Sequence, residues 1–135
     1  MRFIDYVTAF ILGAVCFYLL AGKARADELL VHGPSVHFQG GHNNQNWGLG
    51  YRSGDWIAGG YYNSEYEPSV YVGRRLPITE DFGVILGLVA GYEACVVCPA
   101  ALLTYRIPVD KSVSVHINAQ PLGGGLINLT IGIRQ

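Results

Sequence analysis

From residue 27 onward the chain alternates between apolar and polar positions. In "SVSVHINAQ", Val113, Val115, Ile117 and Ala119 share one face, while Ser112, Ser114, His116, Asn118 and Gln120 share the other. "LINLTIGI" repeats the pattern, with Ile127, Leu129, Ile131 and Ile133 opposite Asn128, Thr130 and Gly132. A period of two is the signature of strands with unlike faces, and no helical period competes with it in this part of the chain. Clusters of Gly, Pro, Asn and Asp divide it into eight predicted strands: 29–38, 46–52, 56–62, 69–76, 82–92, 100–107, 112–119 and 126–133.

The connections differ in kind. "SGD", "PITED" and "PVDK" are short and charged, whereas "QGGHNNQ", "NSEYEP", "ACVVCP" and "QPLGGG" are polar, glycine-rich or otherwise elaborate. Short turns on one rim and longer loops on the other are the habit of outer-membrane barrels. The predicted fold is all-β: an eight-stranded antiparallel up-and-down β-barrel over residues 27–135. This threading puts Arg52, Arg74, Arg75, Arg106, Lys111 and Arg134 at strand ends on the short-turn rim. The long-loop rim receives the acids Glu65, Glu67 and Glu93 and no base.

Aliphatic faces opposite small polar ones suit a barrel with lipid outside and a polar lumen, because a closed sheet leaves no backbone group unpaired in hydrocarbon. The competing arrangement is a soluble periplasmic barrel with the aliphatic face as its core. Such a barrel would expose many lysines and glutamates, and the polar face here is small and uncharged, so membrane insertion is the expectation.

The N-terminal segment agrees with export. "MRFIDYVTAFILGAVCFYLLAGKARA" carries Arg2, an apolar stretch from Val7 to Leu20 and an A-x-A site at Ala24-Arg25-Ala26. It reads as a signal peptide over residues 1–26, cleaved on export. The alternative, an uncleaved anchor, would want about 20 apolar residues to span a bilayer. The expected location is the bacterial outer membrane, the expected state a monomer, and the expected partners membrane lipids. Beyond residue 26 the chain carries six Arg and Lys against nine Asp and Glu, a net charge of −3, which excludes nucleic acid as a natural partner.

Candidate chemistry gathers on the long-loop rim. His37 tops the first predicted strand and Asn63-Ser64 the third, so a base, a hydroxyl and an amide share one edge of the barrel. A hydroxyl nucleophile needs a base within reach and a group that orients the base. His37 and Ser64 fit the first two roles, with Asn63 as orienter or oxyanion donor. The bland reading of Asn-Ser is ordinary turn chemistry. Cys95 and Cys98 in "ACVVCP" are expected to form a small disulfide stapling a hairpin, since an exported chain meets an oxidising compartment. His32, His37, His42 and His116 share no metal-ligand spacing, and neither metal nor cofactor is expected.

These residues resemble the PagP family of outer-membrane lipid A palmitoyltransferases. The similarity runs through Pro34 before "SVHF", "NWGLGY", the polar-Ser pair in "YYNSEYEP", "EDFGVILGLVAG", "PAALLTY" and "NAQPLGGGLINLTIGI". The chain is also similar to small PagP-like barrels of phage and prophage genomes. The resemblance implies an eight-stranded barrel that transfers a fatty acyl chain from phospholipid to lipid A. His37 then takes the place of the catalytic histidine, Ser64 that of the catalytic serine, and Asn63 that of the aspartate preceding it. Pro34 and Pro121 fall where the family has prolines beside lateral gates, a proline offering no N–H to the ladder. Asn63 in place of a carboxylate, the absence of the family's N-terminal helix and the lack of bases on the outer rim are departures from that pattern. The alternative is a non-enzymatic outer-membrane barrel that modifies the cell surface or excludes phage through its loops.

Overall fold

In a computed structural model, residues 27–121 and 125–135 are described. The segment read as a signal peptide lies outside them. Eight strands follow one another round a closed antiparallel barrel: β1 (Glu28–His37), β2 (Gln45–Ser53), β3 (Trp56–Tyr62), β4 (Pro68–Pro77), β5 (Phe82–Tyr92), β6 (Cys95–Pro108), β7 (Val113–Gln120) and β8 (Leu126–Arg134). Each pairs with its sequence neighbours, and β1 closes on β8. No helix occurs among the described residues.

Most of the buried side chains are polar. Among the described residues only Leu30, Ile57 and Val89 are buried hydrophobics, against twelve buried polar or charged ones. Ser114, His116 and Asn118 are buried, whereas Ile127, Leu129, Ile131 and Ile133 on the next strand are 38 to 47% exposed. The aliphatic face therefore lies outside, which removes the arrangement with an aliphatic core. Strand alternation dictates this result: closing the sheet sends every second residue into a narrow lumen, where small polar groups bond one another.

The strand boundaries match the predicted ones closely, with one correction. "ACVVCP" is not a loop: β6 begins at Cys95, and only Glu93 and Ala94 separate it from β5. Period two continues through Cys98, Ala100 and Leu102 into the lumen, and the register with β5 is regular from Tyr92↔Cys95 to Phe82↔Tyr105. The lower rim carries the short turns 54–55, 78–81 and 109–112, and the upper rim the longer connections 38–44, 63–67 and 121–125.

A floor closes the lower end of the lumen. Glu28, 2% exposed, accepts from Ser114 Oγ at 2.5 Å and lies 3.2 Å from His116 Nε2. Arg52 Nη2 approaches its other oxygen at 3.3 Å, a charge contact without the direction of a hydrogen bond. Higher up, a chain of side-chain bonds spans the lumen from β4 to β7: Tyr71 to His32 at 2.7 Å, His32 to Thr130 at 3.1 Å and Asn118 to Thr130 at 3.2 Å. Glycine makes room for it. A Cβ at Gly59 would stand 2.7 Å from the Tyr71 hydroxyl oxygen.

Candidate functional site

One irregularity in β1 decides where His37 points. His32 pairs with Gly48 and Thr130, but the register shifts by one residue on both neighbouring strands before Ser35: against β8 the extra residue lies in β1, a β-bulge at Gly33 and Pro34, and against β2 it lies in β2. Unbroken alternation from the inward His32 would send Pro34 and Val36 into the lumen and Ser35 and His37 outward. The extra residue reverses this: Ser35 is buried and bonded to Asn46 Oδ1, and His37 lines the lumen cavity while Val36 is 60% exposed. Pro34 suits the bulge because it has no N–H to offer a ladder. Its role at the seam is to re-aim the catalytic candidate.

At the rim His37 is held by Asn44. Its Nδ1 lies 2.7 Å from Asn44 Oδ1, and its backbone N–H reaches the same oxygen at 3.3 Å. An amide oxygen can only accept, so the proton sits on Nδ1, and Nε2 carries the lone pair of the neutral ring. The His42 ring lies beside it, with centroids 5.0 Å apart.

Ser64 comes to the same place through Asn43. The backbone N–H of Asn43 donates to the Ser64 carbonyl at 3.0 Å, and its side-chain amide donates to the Asn63 carbonyl at 3.1 Å. The β1–β2 loop is thereby clamped to the β3–β4 loop. Ser64 lines the cavity with His37 and His42 and lies beside the Tyr92 hydroxyl. His37 and Ser64 share the cavity mouth without a hydrogen bond between them. An empty site often closes such bonds only on substrate, so this spacing is compatible with a base and a nucleophile.

Asn63 does other work than the sequence suggests. Fully buried, it donates from Nδ2 to Ser69 Oγ at 2.9 Å and to the Gly91 carbonyl at 2.8 Å, and its Oδ1 accepts from the N–H groups of Glu65 and Glu67 at 2.8 and 3.0 Å. Every bonding position of the amide is engaged in shaping its own loop. The orienter of His37 is Asn44, and Asn63 is a loop staple. A carboxylate at 63 would turn an oxygen toward the Gly91 carbonyl where the amide now donates, which gives a local reason for the departure from Asp. The same loop bends through Tyr66, whose φ of 62° is unusual for a bulky residue.

Cys95 and Cys98 are free thiols in the structure, and Cys98 Sγ bonds the Cys95 carbonyl at 3.3 Å. The expected staple is not formed in the structure. Pro121 is exposed and directly follows β7. Below it β6 and β7 pair from Leu103↔Ala119 to Pro108↔Ser114.

The cavity beneath the rim has a volume of about 360 Å³ and two unlike walls. Ile57, Ile85, Val89, Ala100 and Leu102 supply an apolar one from β3, β5 and β6, and His32, Asn118, Asn128 and Thr130 a polar one from β1, β7 and β8. No cluster of metal-ligating side chains is present among the described residues. Sequence reading missed Asn43 and Asn44. The signal was the amide run "HNNQN", four of whose five residues can cap or clamp loops, a use distinct from metal binding.

No protein-family model matches this chain, and no curated protein matches it. Among solved structures it is similar to the solution NMR structure of the de novo designed TMB2.3, an eight-stranded barrel, with a TM-score of 0.54 and 15% identity over 81% of this chain and 93% of that one. A likeness at this identity speaks for the fold, and the site must be argued from its own chemistry.

Proposed function

We propose that this protein is a bacterial outer-membrane barrel that moves a fatty acyl chain from a phospholipid to lipid A or a related acceptor, as its resemblance to the PagP family implies. The observation that carries the reading is the rim of the lumen, where His37, oriented through Nδ1 by Asn44, opens onto the same cavity as Ser64. His37 Nε2 serves as general base. Ser64 Oγ attacks the ester carbonyl of the donor and yields its proton to His37, which passes it to the departing glycerol oxygen. The acceptor hydroxyl then attacks the Ser64 ester, its proton leaves through His37, and the serine is restored. The apolar wall receives the acyl chain, and the seam between β6 and β7 beside Pro121, which offers no N–H to a ladder, is a way in from the side.

Membrane insertion has its own support. The outer face is aliphatic, and outward aromatics stand near both ends: Phe38, Trp47 and Tyr62 above, Trp56 and Tyr105 below. Such girdles mark the two interfaces of a membrane barrel. Arg74 lies 5.9 Å from the Trp56 ring at the lower level, a position from which its charge reaches headgroups. The reading is of an exported monomer in the outer membrane with lipids as partners.

Lipid A mass spectra from cells with and without the gene test the activity. An added acyl mass with the wild type, lost with His37→Ala and Ser64→Ala in barrels that still shift on heating in gels, is expected; identical spectra with and without the gene would overturn the reading. A second reading, a non-enzymatic barrel acting through its loops, is favoured by one observation: Tyr62 and Tyr66 are exposed beside Glu65, whose Oε2 accepts from the Glu93 N–H at 3.0 Å, making an acidic, aromatic surface. Loop exchange that abolishes a surface phenotype untouched by His37→Ala would support it.

A further inference from the structure

The polar wall of the lumen is a poor neighbour for a plain hydrocarbon. Asn118 directs its amide N–H groups at Asn128 Oδ1, 2.9 Å away, and at Thr130 Oγ1, 3.2 Å away. Asn118 Oδ1 and Asn128 Nδ2 then remain as one acceptor and one donor, on cross-strand partners that both line the cavity. Methylene groups packed against them would leave both unpaired, and a buried unpaired polar group carries a real penalty. A hydroxyl answers both at once, donating to the first and accepting from the second. The opposite wall, from Ile57 to Leu102, is apolar and fits the rest of an alkyl chain.

We infer that the acyl chain this lumen takes bears a hydroxyl group along its length, held between Asn118 and Asn128. This rests on the acyl-transfer reading for the direction of entry. Asn128 lies two residues below Leu126, the β8 partner of His37, which sets the hydroxyl about 7 Å beneath the reacting carbonyl at the strand rise. The site selects chain chemistry as well as chain length.

The test uses the full-length mature barrel refolded in detergent, with octadecanoate and its single-hydroxyl isomers as probes, binding being followed by calorimetry. One isomer with its hydroxyl partway down the chain should bind about tenfold more tightly than octadecanoate, the worth of two net hydrogen bonds. Asn118→Leu and Asn128→Leu should each bring the two affinities together while the heat-shifted gel band shows a folded barrel. If Asn118→Leu fails to fold, Asn128→Leu carries the comparison. Equal affinity of all isomers for the wild type, or no binding of any, would overturn the inference. Selective binding in a protein that leaves lipid A mass spectra unchanged would instead remove the transferase reading and leave the hydroxyl site standing.

Discussion

His37 donates from Nδ1 to Asn44 Oδ1 at 2.7 Å, across a loop of only six residues between them. The contact assigns the orienting role to a residue next to the clamp that holds Ser64. If the rim is an acyl-transfer site, Asn44→Ala leaves the imidazole free to turn, and a misplaced base costs about 10²-fold in rate. The expected outcome is a lowered kcat with KM little changed, measured by acyl transfer to lipid A in detergent micelles. Asn63→Ala should not share that signature.

Asn63 should report on stability. Truncation to alanine removes four hydrogen bonds and strands the Gly91 carbonyl and the N–H groups of Glu65 and Glu67, a loss of about 2–4 kcal/mol. Urea unfolding in detergent would measure it. Asn63→Asp should also destabilise, since a carboxylate accepts where the amide donates to Gly91. An Asn63→Asp barrel more stable than the wild type would contradict the loop assignment.

The bulge at Gly33 and Pro34 makes a sharper prediction. Inserting one alanine after Pro34 shifts the alternation above the bulge by one residue, so Ser35 and His37 swing to the outer face and Val36 turns inward. Loss of the Ser35–Asn46 bond and of any activity is expected. Cross-strand NMR contacts across the β1–β8 seam would show the altered side-chain parity. An insertion variant with His37 still in the lumen would mean that the strand absorbs the added residue elsewhere.

The floor should tolerate little. Glu28→Gln leaves Arg52, 12% exposed in its side chain, buried beside His116 without a negative partner, and breaking one half of such a pair costs about 3–5 kcal/mol. A lowered urea midpoint at unchanged slope is the expected reading.

The β6–β7 turn carries a pH signature. Asp110 accepts from the N–H groups of Ser112 and Val113 at 2.6 and 2.8 Å, and these bonds hold its carboxyl below the ordinary value of 3.8. A depressed folded value means that the turn's contribution is whole above pH 3.8 and fades as the pH falls through the lower folded value. An NMR titration of the Asp110 carboxyl carbon should have its midpoint below 3.8, and Asp110→Asn should abolish the pH dependence of the Ser112 and Val113 amide shifts.

Most of the barrel was legible in the chain because alternation is local. Val113 to Ala119 and Ile127 to Ile133 announce their two faces without reference to any other residue, and closure merely puts the polar one inside. "ACVVCP" was misread because cysteines before a proline look like a connection, while the regular pairing of Cys95 to Tyr105 with β5 comes from a partner strand the local pattern does not name. The site was half legible. His37 and Ser64 stand on one rim as their strand positions require, yet the inward aim of His37 depends on a bulge in β1 registered against β8. That Asn44 orients the histidine, that Asn43 draws Ser64 toward it and that Asn63 staples its own loop follow from loop packing across strands. Residue type and strand period are written in the sequence; which of several neighbouring amides meets which partner is decided only when the sheet closes and brings distant loops within hydrogen-bond reach.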